Sequence, residues 1–113
     1  MAKYVIFFNL KDEVFARMID NPRPATDRVA VISKALEQVG GKVEAYYWMF
    51  GPHDGMAVFD LPDSVSTAAV SIAVGSTGSF DSLETHELFP VDQLNDILSK
   101  AKAVRGAYSP PGA

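Results

Sequence analysis

The chain has 113 residues, a formal net charge of −4 and no cysteine, and 48% of its residues are hydrophobic against 21% charged. This length and composition indicate one globular domain, and the absence of thiols excludes disulfides, thiolate metal sites and a cysteine nucleophile. An acidic chain is a poor match for a phosphate backbone, so we expect no nucleic-acid partner. No apolar run is long enough to span a membrane or to form a secretory signal, and we therefore expect a cytoplasmic protein with no membrane partner.

The first half of the chain predicts two strands that flank a helix. Residues 3–10 are mostly β-branched or aromatic, which is typical of a buried strand. Residues 11–23 are polar with a few spaced apolar side chains, and we expect one or two helical turns there that could act as a lid. A helix over roughly 26–39 carries one apolar stripe, because its apolar residues recur at three- and four-residue spacing. A second strand follows over roughly 42–50.

The second half of the chain predicts a hairpin, a helix between two strands and a final helix. Residues 51–55, Gly-Pro-His-Asp-Gly, are typical of a hairpin turn, and a short strand follows over roughly 56–60. A helix rich in small residues covers roughly 63–76. The fourth strand covers roughly 80–89, and the last helix begins after Pro90.

This order of elements, β-α-β-β-α-β, predicts an α+β domain with a ferredoxin-like fold. Its four antiparallel strands would lie in the order 4-1-3-2, with both inner helices on one face of the sheet. We place the domain at residues 1–104. Residues 105–113, which include two consecutive prolines, are predicted to form a flexible carboxyl-terminal tail.

The face of the sheet without helices is predicted to be apolar, although a sheet with one wet face normally alternates apolar and polar residues. In strand one, Val5 and Phe7 are apolar and point away from Ile6 and Phe8. In strand two, strict alternation places two groups of apolar residues on opposite sides of the sheet. One group is Tyr46, Trp48 and Phe50, and the other is Val43, Ala45, Tyr47 and Met49. The bare face measures on the order of 350 Å², which is as large as the apolar patches usual on a monomer.

Two elements could cover this apolar face. The last helix could fold back over part of it, or a second copy of the chain could cover all of it, sheet against sheet. We favour the second copy, because symmetric packing normally closes such patches. The sequence therefore predicts a homo-oligomer that assembles through the helix-free face of the sheet.

The turn between strands two and three resembles that of the GYD-domain family, which is named for a glycine-x-tyrosine-aspartate sequence. The matching stretch is Gly51, Pro52, His53 and Asp54, with His53 where the family has tyrosine. Further residues over roughly 3–100 add to the resemblance by their order and spacing: Asn9, Gly40-Gly41-Lys42, Gly75-Ser76, Gly78 and Glu84-Thr85. The resemblance implies a ferredoxin-like fold of the dimeric α/β-barrel type and no established activity.

Two turn residues, His53 and Asp54, are the first candidate catalytic group. Histidine titrates near neutral pH and, beside a carboxylate, could form an acid/base pair. Aspartate is also an ordinary turn residue whose side chain binds nearby backbone, and we favour that interpretation. The predicted topology places this turn near Asn9, a candidate ligand-binding residue, at the same end of the sheet as the 11–23 segment.

Other polar and aromatic residues are candidates for ligand binding. Glu84 and His86 share one side of strand four, where they could bind a metal or a substrate, with His86 a further candidate catalytic residue, or protect the sheet edge. Tyr47 and Trp48 could line a ligand pocket between sheet and helices or stack at a subunit interface. Arg28, near a helix start, could bind an anion, although a solvated arginine is the commoner outcome. We predict no metal site and no cofactor, because two histidines and scattered carboxylates form no recognisable ligand set.

Three functions follow from these residues, and the sequence leaves them open. The first is a homo-oligomeric module that binds a small molecule or a partner. The second is a small cofactor-independent enzyme, like an oxygenase or an isomerase, with a pocket between sheet and helices served by His53, Asp54 or His86. This second function rests on analogy between folds. The third, RNA binding, shares the order of elements, but the acidic net charge argues against it.

Overall fold

The structure is a computed structural model that describes residues 1–24 and 26–113. Its strands are β1 (Ala2–Leu10), β2 (Lys42–Trp48), β3 (Gly55–Leu61) and β4 (Phe80–Leu88). Its helices are α1 (Asp12–Asp20), α2 (Thr26–Glu37), α3 (Ser64–Gly75) and α4 (Leu94–Ala107), and a 3-10 turn at Val91–Gln93 precedes α4. The predicted order of strands and helices is confirmed.

The four strands form one antiparallel sheet in the order β2-β3-β1-β4, which is the predicted order read from the other edge. The central strand β1 pairs with β3 from Ala2 opposite Leu61 to Phe8 opposite Gly55. On its other side β1 pairs with β4, where Phe7 lies opposite Glu84. The chain therefore has the α+β, ferredoxin-like architecture that the sequence predicts.

Helices α2 and α3 pack on the same face of this sheet and enclose the core. Leu36 from α2 and Val70 from α3 meet the inward side chains of β1 and β3. The hydroxyl groups of Ser71 on α3 and Thr85 on β4 are 3.1 Å apart, which links the helix to the edge strand. The buried apolar cluster is Tyr4, Ile6, Leu36, Ala57, Phe59, Leu61 and Val70.

A bulge in β2 changes which of its side chains face the core. Val43 pairs with Phe59, but the next paired residue is Ala45, so Glu44 is the extra residue. As a result Val43 packs against the core. The prediction from strict alternation, which placed Val43 on the same side of the sheet as Ala45, was wrong. Regular pairing of β2 also ends at Trp48, two residues before the predicted end of the strand.

Glycine is required at two positions near the ends of elements. Gly40 follows α2 with φ +75°, a left-handed conformation that stops the helix. Gly55 begins β3 where the ring of Phe8 crosses the backbone, and a Cβ there would lie 2.3 Å from Phe8 Cζ. The close approach of that ring leaves no space for any side chain at position 55.

Helix α4 projects away from the sheet. None of its residues is buried, and its principal contact is with the 3-10 turn before it. The chain measures 58 × 34 × 23 Å, which is elongated for its length. Helix α4 therefore does not cover the helix-free face. It runs to Ala107, so residues 105–107 of the predicted tail are helical.

In the described part of the chain, no helix combines the length and the apolar character needed to cross a lipid bilayer.

Candidate functional site

A cavity of about 650 Å³ lies between the sheet and the helices. Its floor is the helix-bearing face of the sheet, where Ile6, Phe8 and Phe59 line it. Its walls come from α1, α2 and α3, together with the segment that joins α1 to α2. Sites for small molecules and cofactors typically measure roughly 300–1,000 Å³, so the cavity is large enough for a drug-sized ligand.

The cavity exists because α2 approaches the sheet mainly at its carboxyl-terminal end. Leu36, near that end, is fully buried, whereas Val31 lines the cavity and is 55% exposed. Short side chains on the helices that face the cavity, Ala35 on α2 and Ala73 on α3, leave further space. The first half of α2 therefore stands away from the sheet.

Helix α1 forms the outer wall of the cavity. Val14 and Met18, one helical turn apart, both line it, while Ile19 on the other side of α1 is 77% exposed. None of the residues of α1 is buried. The predicted one or two helical turns in this segment are thus present as α1, and it lies where a lid would lie.

The charged groups of the cavity lie near the start of α2. Arg23 and Arg28 line it there, and the phenol of Tyr46 faces Arg28 from the sheet. Burial raises the pKa of the Tyr46 phenol above its ordinary value, and the neighbouring positive charge of Arg28 opposes part of this rise. No aspartate, glutamate or histidine lines the cavity in the part of the chain that the structure describes.

An aromatic cluster borders the cavity at the end of the sheet. The ring of Phe8 lies 5.8 Å from Tyr46, 5.6 Å from Trp48 and 5.8 Å from Phe80, measured between ring centroids. Phe15 of α1 approaches Trp48 at 6.4 Å. These contacts fix Trp48 at the rim of the cavity, where its ring is half-exposed.

A second group of polar residues lies on the helix-free face of the sheet. The Nε2 atoms of His53 and His86 are 3.7 and 3.6 Å from Oε2 of Glu84. The His53 ring stacks on Phe7 with centroids 5.1 Å apart, and its Nδ1 is buried without a hydrogen-bond partner among the described residues. Over all the residues that the structure describes, no group of three or more histidine, cysteine or acidic side chains is arranged to hold a metal ion.

Asp54 connects the turn between β2 and β3 to the end of β1. Its carboxylate accepts a hydrogen bond from the backbone N–H of Leu10 at 2.9 Å. Its own backbone N–H donates to Oδ1 of Asn9 at 2.9 Å and to the carbonyl oxygen of Phe8 at 2.9 Å. Asn9 in turn donates from Nδ2 to Oγ of Ser82. The turn is thereby attached to β1 and, through Asn9, to β4.

A comparison with known protein families identifies the family of this chain. The model of the GYD domain family matches residues 4–98, which is most of the chain. The chain belongs to the GYD domain family. The turn just described, from Gly51 to Asp54, is the part of the sequence that resembles the family's glycine-x-tyrosine-aspartate signature.

Individual proteins are similar to this chain in sequence or in fold. A Thermus thermophilus protein named glutamine synthetase and cystathionine beta-lyase binding protein is 27% identical over 95 residues, which cover 83% of this chain and 95% of that protein. The crystal structure of TTHA0845, also from Thermus thermophilus, superposes with a TM-score of 0.51 at 18% identity, over 80% of this chain and 96% of that one. The structure of At3g17210 from Arabidopsis thaliana gives 0.50 at 14% identity, over 80% and 96%. These structures share the fold with this GYD domain.

The residues predicted as candidate sites separate onto two faces of the GYD domain. Arg28 and Trp48 line the cavity. On the helix-free side, Tyr47 pairs with Met56 and is 63% exposed. The remaining candidates lie outside the cavity lining: Asn9, His53, Asp54, Glu84 and His86. The structure thus brings His53 to Glu84 and His86, and Asp54 to Asn9 as the topology predicts.

Two features of the site were missed from the sequence. Arg23 was placed only at the end of the polar 11–23 segment, and no local pattern indicates that its side chain reaches a cavity. The pairing of His53 with Glu84 was also missed. The strand order carries a signal for it, because Phe7 lies opposite Glu84 and the His53 turn closes over the end of β1.

Proposed function

We propose that this GYD-domain protein is a homo-oligomeric binding module that holds a small molecule in the cavity between its sheet and its helices. The observation that carries the proposal is the cavity itself, about 650 Å³ with mostly apolar and aromatic walls and a few polar groups at one end. That combination is the usual chemistry of a small-molecule site. Arg28 and Trp48 are the ligand-binding candidates that lie in it.

The helix-free face supports the homo-oligomeric part of the proposal. Val5, Phe7, Met56 and Val58 form its apolar centre along β1 and β3, and Tyr47 extends it onto β2. At one corner Lys3 forms ion pairs with Glu44 and Asp60, and at another His53, Glu84 and His86 form a polar group. An apolar centre with a polar rim is the usual anatomy of a protein interface, and a second copy provides a matching surface.

An enzyme with its pocket in the cavity is less well supported. That hypothesis needs His53, Asp54 or His86 in the pocket, and none of them lines it. Asp54 instead binds the backbone of Leu10, and both histidines lie beside Glu84 on the other face. Among the described residues, the lining therefore offers no carboxylate or imidazole for proton transfer, which favours binding over catalysis there.

Binding of a protein partner is a second candidate function. The Thermus relative is named for binding glutamine synthetase and cystathionine beta-lyase, and α4 of this chain exposes Leu94, Ile97 and Leu98. A helix with an exposed apolar stripe is a common docking element. Co-elution with purified glutamine synthetase or cystathionine beta-lyase on a sizing column tests this candidate.

The cavity is tested with the neutral dye Nile red, whose fluorescence rises in apolar surroundings. We expect saturable binding that Ala73→Phe weakens at least tenfold, because Ala73 lines the cavity. Ala69→Phe is the matched control, since Ala69 is an exposed residue of the same helix outside the lining. Equal binding by both variants, or no saturable binding at all, would refute the proposed function.

A further inference from the structure

We propose that the cavity binds an organic monoanion with an elongated apolar body, in the manner of a medium-chain fatty acid or an arylalkyl carboxylate. Arg23 and Arg28 would bind the carboxylate, and the apolar floor and walls would hold the body. This inference rests on the proposed function, because it names the chemical class of the ligand in the same cavity.

The charge of the cavity is opposite to that of the whole chain. The chain carries 14 acidic and 10 basic side chains, yet the two charged residues that line the cavity, Arg23 and Arg28, are both cationic. They lie five residues apart at one end, in the segment before α2 and in its first turn. The other described residues that line the cavity are uncharged, so the field inside it favours a negative group.

Neither arginine is neutralised by an acidic neighbour. Across residues 1–24 and 26–113, no carboxylate lies within 4.0 Å of either guanidinium. Arg28 faces the phenol of Tyr46 instead. A guanidinium presents two parallel N–H groups that match both oxygens of a carboxylate, and the Tyr46 hydroxyl can donate a further hydrogen bond. The cationic end of the cavity therefore has the donors that a carboxylate requires.

The remainder of the lining sets the shape and polarity of the body. Beyond the arginines the cavity runs over Ile6, Phe8 and Phe59 towards Val74 and Leu83, all of them apolar. A ligand with several charges, such as a nucleotide, would place charged groups next to these apolar walls, and those groups would lose their hydration without gaining a partner. A long apolar body gains instead about fourfold in affinity for each methylene that it buries.

Decanoate and 1-decanol, which share one chain length and differ in the head group, test the inference. Binding is followed by the fluorescence of Trp48, the one tryptophan of the chain, which lines the cavity. We expect decanoate to bind at least tenfold more tightly than 1-decanol, and decylamine to bind no better than 1-decanol. Octanoate is expected to bind about sixteenfold more weakly than decanoate, because it buries two methylenes fewer.

The double variant Arg23→Gln/Arg28→Gln separates the contribution of the arginines. We expect it to bind decanoate as weakly as 1-decanol while its affinity for 1-decanol stays unchanged. Arg17→Gln is the matched control, because Arg17 is an exposed residue of α1 that does not line the cavity. It should bind decanoate like the unchanged protein.

The possible results distinguish this inference from the proposed function. If 1-decanol binds and decanoate binds no better, or if the double variant keeps the preference for decanoate, the inference is wrong while the cavity still binds small molecules. If decylamine binds most tightly, the inference is wrong in the sign of the charge. If neither decanoate, 1-decanol nor Nile red binds, the proposed function and the inference fall together.

Discussion

Asp54 and Asn9 are linked by hydrogen bonds at the end of the sheet. The backbone N–H of Asp54 donates to Oδ1 of Asn9 at 2.9 Å. The Asp54 carboxylate accepts from the backbone N–H of Leu10, the residue after Asn9. The side chain of each residue thus binds the backbone of the other's segment. This arrangement gives the aspartate of the GYD turn a structural role. It attaches the loop between β2 and β3 to the central strand.

Replacement of Asp54 by alanine is therefore expected to destabilise the domain. Loss of the carboxylate leaves the half-buried N–H of Leu10 without its partner, and a hydrogen bond to a charged acceptor contributes about 1.5–3 kcal/mol. We expect Asp54→Ala to lower the free energy of unfolding in urea by that amount. Asp20→Ala, at an exposed position of α1, is the control, and an equal effect of both changes would contradict the assigned role.

Gly55 is expected to tolerate no side chain. A Cβ at this position would lie 2.3 Å from the Phe8 ring, so Gly55→Ala must displace a ring at the centre of the aromatic cluster. Such overpacking costs about 1–3 kcal/mol, measurable by thermal or urea unfolding. The same substitution at Gly106 in α4 meets no atom within 4 Å and should be neutral or slightly stabilising. Equal stability of the two variants would show that Phe8 moves freely.

Tyr46 makes stability depend on pH in the alkaline range. Burial raises its pKa in the folded protein above the ordinary value of 10.0. Its contribution to stability is therefore fully present below pH 10.0 and is lost as the pH rises through the folded pKa. We expect the unfolding free energy to fall more steeply above that pH in the unchanged protein than in Tyr46→Phe.

Arg28 should modulate this alkaline dependence, because its charge opposes the rise in the pKa of Tyr46. In Arg28→Gln the phenol is expected to titrate at still higher pH, followed by its absorbance near 295 nm and assigned by difference from Tyr46→Phe. Arg17→Gln should leave the titration unchanged. A shift of the phenol titration to lower pH in Arg28→Gln would contradict the proximity of the two groups.

The helix-free face is expected to carry the contact between copies of the chain. Met56 lies in its centre, opposite Phe7 on β1 and Tyr47 on β2. A lysine there would bury a charge in the proposed interface, so Met56→Lys should weaken self-association at least tenfold, as judged by light scattering over a dilution series. Ile72→Lys, at a position of α3 that is 73% exposed, should assemble normally. If the unsubstituted protein is a monomer at all concentrations, the proposed homo-oligomer is wrong.

Much of the fold follows from local patterns in the sequence. The aromatic and β-branched run of β1 has few alternatives to a central strand. The Gly-Pro-His-Asp-Gly stretch forces a hairpin, and the topology then fixes the strand order. Contact between Asp54 and Asn9 could be predicted because it follows from that order alone.

Other features depend on relationships that no local pattern encodes. The bulge at Glu44 interrupts the alternation of side chains between the two faces of β2, so Val43 was assigned to the wrong face. The cavity depends on the distance between the first half of α2 and the sheet. That distance is set by many small side-chain contacts, and short side chains such as Ala35 and Ala73 leave space there. For the same reason Arg23 could not be assigned to the lining of the cavity.

The position of α4 makes its hydrogen exchange a measure of partner binding at this helix. Its 14 residues pack on little besides the turn that precedes them, and an isolated helix of this length is only marginally stable in water. In a single copy, the amide hydrogens of α4 are therefore expected to exchange with solvent rapidly, while those of β1 exchange slowly. A partner that binds α4 would slow exchange in that helix, whereas assembly through the helix-free face would leave it unchanged. The amides of α4 therefore distinguish these two modes of association, which a change in overall mass does not.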